Sequence, residues 1–353
     1  MWRSAEFWLR IAACGIVLLT LYLAPQILFP FGISLFLAIL LKPLADLIQK
    51  TVLRCGIRIF PYDLSIVGAF VMFLTALYLI GTYVLVPFGR QFQEFVMEIP
   101  ELIEEVQQAI VNIEAQYKVA ALPAEGKQIL SQILQKIGGY TLSLASFSIS
   151  AVFSLASTMV ELVVVPVITF YMIKMGASFV RGFIALFPTK YEAHLTNLFA
   201  EMHRVLSAYI TGQLTLSVLM TFVVFIGMMV LGIPYPLVIG LLAGIVEMIP
   251  VVGPIAGAIP PILLGLTESS ALALQVLFFY IVVQQLDSHI IMPKLMGSII
   301  NMHPVAIILG VLVGGHLRGI VGMMIAVPLL AVLQIVLRHM WFYNRYSKQE
   351  GKK

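Results

Sequence analysis

Charge is what this chain has least of. Asp, Glu, Lys and Arg make up only 11% of its 353 residues, about half the usual share of a soluble domain. The deficit is concentrated. No charged residue lies in the 31 positions between Arg10 and Lys42, nor in the 42 between Arg204 and Glu247. A helix needs about 20 predominantly apolar residues to cross a hydrocarbon core, and the mean hydropathy is +1.02. These gaps exclude a soluble globular chain and predict an all-α, multi-pass membrane protein. Cysteine is scarce too: Cys14 in an apolar segment and Cys55 in a basic stretch suggest neither a disulfide framework nor a zinc site. Net charge is only +4, with no dense basic block apart from the tail "KQEGKK", so nucleic acid is not an expected partner. There is no G-x-x-x-x-G-K-[ST], no H-E-x-x-H and no G-x-S-x-G. Tyr62–Asp63 matches one half of an intramembrane aspartyl protease, but the partner G-x-G-D is missing. No catalytic residue, cofactor or metal is expected, and the chain reads as a non-enzyme.

Apolar segments fall near 10–29, 31–48, 64–88, 148–173, 205–231, 237–265, 271–292 and 304–338, about eight in all. The first follows "MWRSAEFWLR" and runs into the second without an A-x-A site, so it reads as a retained anchor and not as a signal peptide. Pro25 and Pro30 suit a tight turn between the first two, as do Pro234 and Pro236 in "LGIPYP". The last segment is interrupted by "GGHLRG" and reads as one helix or two.

Loop charge orients the bundle. Lys42, Lys50, Arg54 and Arg58 follow the second segment, Lys174, Arg181, Lys190 and Arg204 the fourth, and further basic residues close the chain. The positive-inside rule places these, and with them both termini, in the cytoplasm. Residues 89–147 carry seven glutamates against four basic residues and are expected outside. Ile99, Leu102, Ile103, Val106 and Ile110 recur there at helical spacing, and so do Ile129, Ile133, Leu134 and Ile137. This predicts an amphipathic helical extracytoplasmic segment, lying beside the membrane or on the protein's own surface.

The stretch "GIVEMIPVVGPIAGAIPPILLGL" (244–266) places a carboxylate and four prolines inside an apolar run. Proline has no amide hydrogen and clashes with the carbonyl four residues earlier. In a continuous helix Pro250 and Pro254 would free the carbonyls of Val246 and Pro250, and Pro260 and Pro261 those of Ala256 and Gly257. Lipid cannot bond these oxygens, so such backbone is tolerated only against protein or water. The stretch is therefore read as a Pro/Gly-broken span near 244–261, or equally a re-entrant hairpin, with Gly253 allowing a turn or close approach. An intramembrane carboxylate is costly unless paired or wet. Glu247 reads as a cation ligand or protonatable group, or as the cap of a helix end.

Asp287 lies in "QQLDSHIIMPKLMG" with Gln284 and Gln285, and helical spacing puts Gln284 and Asp287 on one face. Glu161 lies well inside the fourth segment, with Pro166 just beyond. Glu247, Pro250, Gly253, Pro254, Gln284, Gln285, Asp287 and Glu161 together form the candidate ion or substrate path. Glycine pairs four apart (240/244, 253/257, 310/314 and 315/319) permit close helix crossings.

Taken in order, "VPVITFYMIK", "YITGQL", "LGIPYPLVIGLLAGIVEMIPVVGPIAGAIPP", "QQLDSHIIMPKLMG" and "HPVAIILGVLVGGHLRGIVGMMIAVPLLAVL" resemble the autoinducer-2 exporter-like (AI-2E) transporters. The resemblance covers most of the chain, with the first third matching in hydropathy alone. It implies a secondary transporter in the bacterial inner membrane that moves a small polar solute, as in autoinducer-2-like export, or exchanges Na+ or Li+ for protons. Homo-oligomers and contact with membrane lipid are implied as well. An oligomeric channel or scaffold without coupled transport is the alternative. On this view residues 1–88 are N-terminal membrane helices, 89–147 the outer segment, 148–340 the transport core and 341–353 a cytoplasmic tail. One departure is visible: Met175 follows Lys174 where the family often carries an acid, which removes the expected charge pair at that point.

Overall fold

The computed structural model describes residues 25–54, 60–117, Gln132, 159–296 and 302–341. The expected anchor before Pro25, the amphipathic run at 129–137 and the start of the fourth segment lie outside the described residues. Those described are helical, with six helices long and apolar enough to cross a membrane and three shorter apolar helices. The expected all-α membrane fold is what the chain adopts. The helices are α1 (Pro25–Arg54), α2 (Tyr62–Ile80), α3 (Val86–Tyr117), α4 (Met159–Ile184), α5 (Glu192–Leu231), α6 (Pro236–Val246), α7 (Val252–Glu268), α8 (Ser270–Leu286), α9 (Met292–Met296), α10 (Pro304–Leu317) and α11 (Gly319–Trp341). They cluster into two units interleaved along the sequence, 1–77 with 155–211 and 332–353, and 78–154 with 212–331.

In the first unit α1 packs along α4, with Ala38, Leu41, Ala45, Ile66, Ala69 and Ile173 buried between α1, α2 and α4. Small hydroxyls tighten the contact: Ser34 Oγ lies 3.2 Å from the Val165 carbonyl, and Thr169 Oγ1 lies 3.3 Å from the Ser34 carbonyl. The expected turn at Pro30 is not formed, because α1 runs from Pro25 through Pro30 and Pro43 without interruption. Pro30 removes the backbone bond to Gln26, and the helix continues through it. Lys174 has its ion pair after all: Nζ meets Asp63 Oδ2 at 2.6 Å. The acid comes from α2 and not from position 175, so sequence proximity was the wrong guide. The same pair gives Asp63 a structural role. At the far end of the unit Glu201 on α5 accepts from Arg338 and, at 2.9 Å, from His339 Nε2 on α11.

In the second unit α3 lays Phe92 and Phe95 against α6 and α7, in a core with Val224, Met228, Val238, Ile239, Leu264 and Val276. The segment beginning at residue 89 is thus held by packing at its start. Tyr235, in the junction before α6, donates to Glu98 Oε1 at 2.5 Å. Burial and that carboxylate push the Tyr235 phenol up to about 12, so it stays a neutral donor at working pH.

Two helical ladders widen by one residue into π-turns, at Gly81–Leu85 and at Asp287–Ile291. Each closes on the residue just before a proline, Val86 before Pro87 and Met292 before Pro293. The proline cannot donate to the carbonyl four residues back, and the wider turn absorbs that loss. Such bulges recur at functional sites.

Candidate functional site

The stretch from Pro236 to Glu268 is a hairpin of two helices. α6 ends at Val246 and α7 starts at Val252, and the two pack on each other. Gly257 lies against Ala243, and Gly253 against the backbone of Val246. Eleven residues of α6 span only about 16 Å, roughly half of a ~30 Å hydrocarbon core. The two arms turn back on each other, which is the hairpin geometry that a re-entrant segment has. Pro250 sits in the turn, and Val251 adopts φ 70°. A positive φ at a β-branched residue is costly, and the packed arms hold it. Pro254 falls in the first turn of α7, where no amide is needed.

In the turn the carbonyls of Val246 and Pro250 accept the backbone amides of Ile249 at 2.9 Å and Val252 at 2.8 Å, and two further carbonyls are met by side chains. Gln213 Nε2 on α5 donates to the Glu247 carbonyl at 2.8 Å. Tyr280 Oη on α8 donates to the Gly257 carbonyl at 3.1 Å, the oxygen that Pro261 leaves without an amide. The expectation that such backbone survives only against protein is met at the Gly257 oxygen. Gly240 and Gly244 let α5 approach: a Cβ at 244 would collide with the Thr221 hydroxyl, and one at 240 would lie 2.8 Å from Phe225 Cβ.

Glu247 is buried at the end of α6. With Gly253, Pro254, Gly257, Tyr280 and Gln284 it lines a cavity of about 20 Å³. Apolar walls come from Met220, Val224, Ala243 and Val283. A single water needs about 10–15 Å³ measured this way, so the space suits one water or one small cation. Asp287 is buried where α8 passes into its π-turn, and its Oδ1 has no partner among the described residues. It lies three residues beyond Gln284, which lines the cavity, at the end of α8, the neighbour of α7 to which it is joined through Ser269. Buried oxygens of Gln213 and Ser217 on α5 also lack partners among the described residues.

Four of the eight candidate path residues therefore meet at one cavity: Glu247, Gly253, Pro254 and Gln284. Asp287 is buried nearby, Pro250 shapes the turn, and Gln285 is exposed. Glu161 lies on α4, and its side chain lies outside the described residues. Gln213, Ser217 and Tyr280 escaped the sequence reading. Gln213 had a signal, an amide inside a charge-free run of 42 residues, whereas nothing local marks a tyrosine that caps a carbonyl 23 positions away.

A second hairpin follows. Helical backbone from Pro304 to Trp341 reverses at Gly319, where φ is +58°. Gly310 lies against Leu330 and Gly314 against Gly322, which a straight helix would hold about 30 Å and 12 Å apart. The open choice between one helix and two is settled as two. Ile249, from the first turn, packs with Val311 and Ala326 of this second hairpin.

The family model described as "AI-2E family transporter" matches residues 11–341. The chain belongs to the AI-2E transporter family. Similar AI-2E relatives include YueF of Bacillus subtilis (strain 168), 30% identical over 328 residues, covering 90% of this chain and 89% of that one. YrrI of the same organism is 27% identical over 355 residues, with 96% and 97% covered. YhhT of Escherichia coli (strain K12) is 24% identical over 336 residues, with 93% and 88% covered. All three are named for transport. The matched region of this AI-2E protein takes in both hairpins and the Glu247 cavity.

Proposed function

We propose that this AI-2E protein is a secondary transporter that exchanges a monovalent cation such as Na+ or Li+ for protons, with Glu247 as the shared ligand. The observation that carries the reading is the size and chemistry of the cavity. Its volume of about 20 Å³ admits one small ion or water and is far too small for a sugar-sized solute. A buried carboxyl in an apolar setting is costly unless it is paired, hydrated or protonated. Glu247 satisfies that condition by holding either a proton or a cation. Gln284 in the cavity wall supplies a further hard donor of the kind such a cation takes, and buried oxygens of Asp287, Gln213 and Ser217 lack partners among the described residues. Half-helix ends that hold ions at membrane depth are a recurring device of secondary transporters. The charge bias of the loops supports cytoplasmic termini in a bacterial inner membrane, and the exposed apolar faces of α2 and α8 support contact with lipid or with further copies.

The test is uptake of radioactive Na+ into liposomes holding the purified protein, with and without an outward proton gradient. Exchange predicts uptake accelerated by the gradient. Equal uptake in both conditions favours an uncoupled channel, and gradient-driven movement of a larger solute with no cation movement defeats the proposal.

A further inference from the structure

A second cavity, much larger than the first, opens in the first unit between α1 and α5, with a volume of about 620 Å³. Its α1 wall repeats every four residues, presenting Lys42, Asp46, Lys50 and Arg54 on one stripe, with Leu47 on the stripe beside it. The α5 wall follows the same spacing, with His203, Ser207 and Thr211. Residues four apart share a helix face, so both walls are single ridges.

The charge in this cleft is unbalanced. Among the described residues no carboxylate pairs with Lys42, Lys50 or Arg54. Asp46, the acid in the wall, already accepts from Tyr62 Oη at 2.7 Å. Three cations and a histidine thus face a space large enough for an organic ligand. Lys42 is also the first charge after the 31-residue apolar run, which sets the cleft at the boundary between hydrocarbon and headgroups. Ile39 lines its inner end, and Leu47 is exposed on its wall. A free anion has no use for those apolar surfaces; a phosphate carried on acyl chains does.

We propose that the α1–α5 cleft binds the phosphate diester of an acidic membrane lipid, with Lys42, Lys50 and Arg54 on the phosphate and the acyl chains along Ile39 and Leu47. Basic pockets between membrane helices suit such headgroups. The site shares no lining residue with the Glu247 cavity and does not depend on what crosses there.

The test uses the full chain in nanodiscs of phosphatidylcholine with a minor share of phosphatidylglycerol, and native mass spectrometry to count the phosphatidylglycerol retained after release. The unaltered chain should retain it selectively. Lys42→Gln/Lys50→Gln/Arg54→Gln should weaken retention about a hundred-fold, at roughly five-fold per cation near a membrane surface. The charge-keeping triple Lys42→Arg/Lys50→Arg/Arg54→Lys should restore it, which separates binding from folding. Asp46→Asn should strengthen retention, since it removes the opposing charge while leaving an acceptor for Tyr62. Equal retention by the Gln triple and the unaltered chain overturns the proposal. So does displacement of the lipid by inorganic phosphate, which would make this a site for the free anion.

Discussion

Gln213 and Glu247 are 34 positions apart, and the side-chain amide of the first donates to the main-chain carbonyl of the second at 2.8 Å. The bond closes the end of α6 at the point where the chain turns back on itself. Gln213→Leu should leave that carbonyl without a donor and lower stability by about 1 kcal/mol, within the range measured between membrane helices. Thermal unfolding in detergent reads the loss, and an unchanged midpoint would show that water takes over the bond.

Tyr280 makes the companion contact to the Gly257 carbonyl. Tyr280→Phe keeps the ring and removes the donor, so a similar loss of about 1 kcal/mol is expected. Tyr280→Phe with Pro261→Ala should recover stability, because an alanine at that position has an amide to donate to Gly257 along the helix. Failure of the double variant to recover would deny that the tyrosine answers the proline.

Glycine positions in the hairpin are not equivalent. A Cβ at 244 meets the Thr221 hydroxyl and lies 2.7 Å from the Ser217 carbonyl, whereas one at 257 lies 3.5 Å from Ala243 Cα. Gly244→Ala should cost about 1–3 kcal/mol through overpacking, and Gly257→Ala should be close to neutral. Comparing the two melting midpoints checks the closeness of the α5–α6 crossing directly.

Much of this was legible in the sequence, and the misses share a cause. Long uncharged runs fix membrane helices because lipid admits little else, and Pro250 beside Glu247 marks the break, whereas Pro260 and Pro261 lie inside α7 without interrupting it. Pro30 misled because a proline removes one backbone bond without ending a helix, as Pro43 in the same helix also shows. The reversal at Gly319 stayed open because "GGHLRG" marks flexibility but not direction. Lys174 found Asp63, and Glu247 found Gln213, through contacts between distant segments. Local spacing carries no information about such partners.

Orientation follows from loop charge. In a chain carrying Cys14→Ser and Cys55→Ser, Gln108→Cys should react with a membrane-impermeant maleimide added from outside, and Arg54→Cys should not. Both side chains are exposed, so access to the reagent is decided by the membrane alone. The opposite pattern would invert the topology.

The central claim is that the buried carboxyl of Glu247 holds proton and cation in turn. The measurement that bears on it most directly is the pH profile of gradient-driven Na+ uptake by the unaltered protein and by Glu247→Gln, each reconstituted after its fold has been verified by thermal unfolding. The glutamine keeps the shape of the side chain but cannot exchange a proton. Coupled uptake should fall at least ten-fold in the variant, and what remains should no longer vary with pH; Asp287→Asn should weaken uptake less. Full uptake by Glu247→Gln with an unchanged pH profile would contradict the account and leave Glu247 as the cap of a helix end.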